Sequence, residues 1–139
     1  MHIFKLISIG LYAILGIVSL IMAYKSLISK KILSFHEKAA GISWDSIDKP
    51  LQYVILALMR VSGLGFFITG LLLLIFPVIN YFKQDNFIKF SIPIISLIYC
   101  FGLFLFNYFL HKKTKADTPW IGSIVAIFII IIGIILSLL

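Results

Sequence analysis

The chain has 139 residues, of which 62% are apolar and 12% charged. A soluble domain carries charge on roughly a quarter of its residues, so this composition excludes a soluble globular domain and fits one small membrane domain in which four spans of about 20 residues take up most of the chain. The formal charge is +7, but the cations flank apolar runs, where positive-inside bias and attraction to anionic headgroups account for them without nucleic acid.

The first apolar run, Ile3 to Tyr24, holds one charge, Lys5. As a helix rising 1.5 Å per residue it reaches about 33 Å, enough to cross a bilayer core. A cleavable signal peptide is the competing reading. The run is long for one, and no small-x-small site follows it, which favours a retained helix. Between Lys25 and Pro50 lies the one sizeable polar stretch. Here Leu27, Ile28, Ile32, Phe35 and Ala39 recur at helical spacing, with Lys30, Ser34, Glu37 and Lys38 on the other side. That is the pattern of an amphipathic helix resting on headgroups, ended by Gly41. Trp44 follows as an interface anchor and Asp48 as a cap for the next helix.

The second run, Leu51 to Phe82, is too long for one untilted span and contains Arg60. It divides into a crossing segment, 61–82, and an approach along the interface from Leu51 to Met59, with Arg60 snorkelling at the boundary. The third span covers 87–110. The fourth covers 119–139, opened by Thr118 as N-cap and Pro119 in the first turn. Lys25, Lys30, Lys31, Lys38, Lys49, Lys112, Lys113 and Lys115 lie at one set of span ends, and only Lys5, Lys83 and Lys89 at the other. The larger group belongs in the cytoplasm, which puts both termini outside and makes 83–86 a tight outer turn. The expected architecture is all-α: a single-domain four-transmembrane-helix bundle of a bacterial inner membrane, with an amphipathic interfacial helix in the cytoplasmic segment 25–60.

Small residues recur along the spans, as helices need in order to approach closely in lipid: Ala13, Gly16, Ser19 and Ala23; Ser62, Gly63, Gly65, Thr69 and Gly70; Gly122, Ala126, Gly133 and Ser137. The third helix instead carries a polar stripe, Ser96, Cys100, Asn107 and His111, with Leu103 filling its gap, and this stripe should face the bundle interior. Interhelical hydrogen bonding explains the stripe without any further role. Cys100 is the single cysteine, which leaves no internal disulfide, Cys-x-x-Cys pair or cysteine metal site.

The remaining polar side chains gather at the cytoplasmic end. His36, Trp44, Asp45, Asp48, Arg60, Asn107, His111 and Trp120 form a candidate interaction or ligand rim, and the outer end has no comparable set. Arg60 needs a partner or an escape to water; Asp45 or Asp48 could supply the partner. No catalytic residues, cofactor site or metal site are expected. Two histidines without further ligands are a weak metal signal, no carboxylate pair or nucleophile triad is legible, and no buried acid is available for proton-coupled drug exchange.

The stretches Phe35-His36-Glu37-Lys38-Ala39-Ala40-Gly41-Ile42-Ser43-Trp44, Leu56-Ala57-Leu58-Met59-Arg60-Val61-Ser62-Gly63 and Thr118-Pro119-Trp120 resemble a group of small uncharacterised bacterial four-helix membrane proteins. The part from Arg60 to Gly70 looks like the second helix of DoxX-like membrane proteins. The resemblance implies an integral bacterial membrane protein and supplies neither a reaction nor a catalytic residue.

Two functions compete. One is a non-enzymatic accessory subunit whose rim docks a membrane-protein partner, a second copy or anionic lipid headgroups. The other is a binder or carrier of a lipid, quinone or small apolar solute, using Ser96, Cys100 and Asn107 with Arg60 at the mouth.

Overall fold

The computed structural model describes residues 2–139 and is helical throughout its regular structure. Four helices are long and apolar enough to cross a membrane: α1 (His2–Ile28), α3 (Lys49–Lys83), α4 (Asn86–Thr114) and α5 (Trp120–Leu138). A short helix, α2 (Ser34–Ala40), and a single 3₁₀ turn (Trp44–Ser46) lie between α1 and α3.

Two boundaries differ from the sequence expectation. The proposed interfacial helix is not one element: Leu27 and Ile28 belong to α1, Ile32 lies in the connection, and only Phe35 and Ala39 fall within α2. The second run is not divided at Val61, because α3 is helical from Lys49 through Arg60 to Lys83. A charge ends an apolar run but leaves the helical hydrogen bond intact. At 35 residues α3 is about 52 Å long, so a membrane core of about 30 Å cannot contain it.

What ends α2, α3 and α4 is left-handed backbone. Gly41 (φ 67°) closes α2, Gln84 (φ 52°) closes α3 and Lys115 (φ 58°) closes α4. The turn between α3 and α4 is as tight as expected. In it the Asp85 carboxylate accepts the Phe87 and Ile88 amides at 2.7 and 3.3 Å. Thr118 does not cap α5, whose N-cap position is Pro119; its hydroxyl donates instead to the Asn107 carbonyl at 2.7 Å and ties the loop to α4.

The long helices pack as a ring in the order α1, α3, α4, α5, with α5 closing back on α1. Glycine sets the tightest approaches. A Cβ on Gly70 would lie 2.9 Å from the Gly16 carbonyl oxygen, one on Gly63 3.0 Å from Ser26 Cβ, and one on Gly133 2.6 Å from the Tyr12 ring. Part of each expected small-residue stripe therefore does face a neighbour, whereas Ser62 and Gly122 are exposed. The core of the ring is Tyr12, Leu15, Leu73, Cys100 and Ile130. Around it the outer face is apolar: Phe82 and Phe106 are each 78% exposed and Phe128 61%. Surface of that kind is far beyond what a soluble monomer presents to water.

Candidate functional site

The segment before α3 folds on itself. Ile32, Trp44 and Ile47 form a small cluster backed by Ile55 and Leu56 of α3. The Trp44 amide donates to Glu37 Oε1 at 2.8 Å, and Gln52 Nε2 donates to the Trp44 and Ile47 carbonyls at 2.8 and 3.0 Å. Glu37 and Gln52 thus hold the loop closed, a role the sequence reading did not give them. Trp44 is 8% exposed, so its ring is turned into this cluster and away from the surroundings it was expected to anchor in. His36 lies against Phe35 with ring centroids 4.0 Å apart and the rings tilted by 45°; its Nδ1 is buried with no partner among the described residues, and burial lowers its pKa.

The rest of the rim separates into unlike parts. Asp45, Asp48 and Arg60 are exposed, and among the described residues no carboxylate lies within 4.0 Å of the Arg60 guanidinium. The pairing that Asp45 or Asp48 could have supplied is therefore absent, and Arg60 stands exposed on the face of α3. Asp48 occupies the N-cap position of α3 without a side-chain cap bond, its carbonyl accepting the Gln52 amide at 2.9 Å. At the α4–α5 corner His111 and Trp120 do come together, ring centroids 5.8 Å apart, with His111 Nδ1 2.8 Å from the Ala116 carbonyl. Trp120 also meets Tyr108 edge-on at 5.7 Å.

The interior stripe divides in the same way. Ser96 and Cys100 are buried, as their register implied, whereas Asn107 and His111 are only partly so. Asn107 Nδ2 donates to Leu103 of its own helix at 2.8 Å and to no neighbouring helix. Together with Cys100 and Leu103 it lines a cavity of about 200 Å³, completed by Ser19 and Met22 of α1, Phe66 of α3 and Ala126 of α5. Tyr99, packed edge-on against Phe66, also reaches this space, and its hydroxyl is buried with no hydrogen-bond partner among the described residues.

A second cavity, about 270 Å³, lies at the opposite end, where α1 and α4 begin and α3 and α5 finish. Its walls include Lys5, Ser8 and Tyr12 of α1, Asn80 and Tyr81 of α3, Lys89 of α4 and Ser137 of α5. This overturns the expectation that the outer end lacks a polar set. Its members are scattered one or a few to a helix end and meet only in the folded ring. The available signal was that Lys5 and Lys89 are lysines standing inside apolar runs. Tyr12 is 3% exposed, and among the described residues neither its hydroxyl nor Asn80 Oδ1, both buried, has a hydrogen-bond partner. Ser8 donates instead to the Gly133 carbonyl at 2.7 Å.

The two cavities share no lining residue. The core cluster lies between them, with Tyr12 bordering the polar one and Leu15, Leu73 and Cys100 the apolar one. Leu73 and Ile130, at 2% and 0% exposed, are the tightest part of this barrier. No family model, curated protein or solved structure matches the chain.

Proposed function

We propose that this chain is a multi-pass membrane protein that binds a small apolar solute, a quinone ring or part of an acyl chain between its helices. The observation that carries the reading is the cavity of about 200 Å³ beside Cys100 and Asn107. A dry cavity of about 150 Å³ already admits a benzene ring, and largely apolar walls with a few polar groups are the usual make-up of a small-molecule site. Asn107, Tyr99 and Ser123 supply those groups here. Arg60 is not among the lining residues, so it takes no part in this reading.

The lysine distribution supports an orientation with the 25–48 segment and the 112–118 loop in the cytoplasm and both termini outside, in a bacterial inner membrane. The partly buried Phe35 and Ala39 on one face of α2, with the exposed Lys38 at its border, support α2 resting on headgroups. A second reading, docking of a membrane partner, another copy or anionic lipid, is favoured by the exposure of Asp45, Asp48 and Arg60.

Mass spectrometry of lipids and quinones co-extracted in mild detergent separates the two. If the solute reading holds, Asn107→Leu and Ala126→Phe lower the retained apolar molecule while Arg60→Ala leaves it unchanged. Retention that is indifferent to both cavity variants removes the solute reading; a copurifying partner lost with Arg60→Ala would put docking in its place.

A further inference from the structure

The polar cavity at the other end has a chemistry of its own. We propose that it binds an anionic head group that also carries a hydroxyl, a phosphodiester with a glycerol-like alcohol being the chemical class. This stands whether or not the apolar cavity holds a solute, since the two have no residue in common.

Charge is the first ground. Lys5 and Lys89 come from different helices, both are partly buried, and no carboxylate side chain is among the lining residues. Two cations lining one recess at the edge of a low-dielectric bundle attract a counter-charge, and among the described residues the only partner the chain offers either is the Phe90 ring, 5.2 Å from the Lys89 ammonium. The positive character does not come from the start of α4, whose Phe87 and Ile88 amides are already taken by Asp85. It belongs to the lysines.

The unpartnered groups are the second ground. A buried polar group without a hydrogen bond is costly and rare, yet the Tyr12 hydroxyl and Asn80 Oδ1 both border this space with no partner among the described residues. A phosphate oxygen accepts from Tyr12, and a ligand hydroxyl answers the amide, because a hydroxyl both donates and accepts. Water would satisfy these two atoms but bring no counter-charge to the lysines; an anion bearing a hydroxyl does both. At about 270 Å³ the space has room for a phosphate and a short polyol. It also lies at the end of the bundle, at headgroup depth if the four helices cross a membrane.

Native mass spectrometry of the full chain in neutral detergent, titrated with phosphatidylglycerol, phosphatidylcholine or glycerol phosphate, tests the proposal. One phosphatidylglycerol should bind in preference to phosphatidylcholine. Lys5→Gln with Lys89→Gln should weaken it by about tenfold or more, and Tyr12→Phe by about three- to tenfold. Lys112→Gln with Lys113→Gln removes the same charge at the far end and should change nothing. Occupancy by glycerol phosphate in place of the lipid supports the same anion chemistry and assigns a soluble source. Equal binding of both lipids overturns the proposal, as does equal weakening by the two lysine pairs. Tyr12→Phe also controls for folding: with no hydrogen-bond partner for its hydroxyl among the described residues, the variant should unfold in lipid-free detergent no more readily than the parent. Loss of stability with lipid binding intact would make that hydroxyl structural and overturn its assignment to a ligand.

Discussion

The crossing of α1 and α3 gives the sharpest test of how the bundle is held. A Cβ added at Gly70 lies 2.9 Å from the Gly16 carbonyl oxygen and 2.9 Å from Leu20 Cγ and Cδ2, whereas ordinary contact begins at 3.4 Å. Leu20 is a flexible side chain and can turn aside. The carbonyl belongs to a helical backbone, so the helices must part by roughly half an ångström to admit Gly70→Ala. Overpacking of this kind costs about 1–3 kcal/mol, against a gain of about 1 kcal/mol from replacing glycine by alanine inside a helix. Gly102 of α4 isolates the gain, because nothing lies within 4 Å of a Cβ there. Comparing Gly70→Ala with Gly102→Ala cancels helix propensity and leaves the packing cost, so the first variant should be less stable than the second by about 1–3 kcal/mol. Unfolding followed by circular dichroism as sodium dodecyl sulfate is added to a mild detergent measures it. Adding Gly16→Ala to Gly70→Ala should cost less than the sum of the two, since both widen the same gap. Equal midpoints for Gly70→Ala and Gly102→Ala would refute the close crossing as a stabilising contact.

Two further outcomes follow from the loops. Thr118→Val deletes the bond to the Asn107 carbonyl while keeping the shape, and should lower stability by about 1 kcal/mol; Ser123→Ala, which loses only a long exposed bond of 3.4 Å, should be neutral in the same titration. His36 makes the 29–48 segment sensitive to acid. Burial lowers its folded pKa below the ordinary 6.5, so the unfolded segment binds the proton more readily; the stabilisation is complete above the unfolded value and is lost as pH falls through the folded one. Hydrogen exchange in this segment should be better protected at about pH 7.5 than at about pH 5, and His36→Gln should flatten the difference. Greater protection in acid would contradict the assigned sign.

Some of this molecule was written in its residue order. Four long apolar runs fixed four helices, because a backbone in lipid has to satisfy its own hydrogen bonds. Gly41 marked a helix stop through the left-handed conformation that glycine takes without strain. The register of Ser96 and Cys100 put both inside, and Gly16, Gly63, Gly70 and Gly133 announced close approaches without naming their partners.

Other features were decided only in three dimensions. Hydropathy reports where lipid is tolerated, whereas helix length reports where backbone hydrogen bonds break, and these diverge at Lys25 and Arg60, which α1 and α3 pass through. Trp44 reads as an interface anchor until Glu37, Gln52 and Ile55 are seen to fold around it. Lys5, Tyr12, Asn80 and Lys89 are dispersed along three helices with no common spacing, so no periodicity could have joined them. They become neighbours because the helix ends they occupy meet when the ring closes, and only that meeting creates a recess in which the Tyr12 hydroxyl and Asn80 Oδ1 lack partners among the described residues.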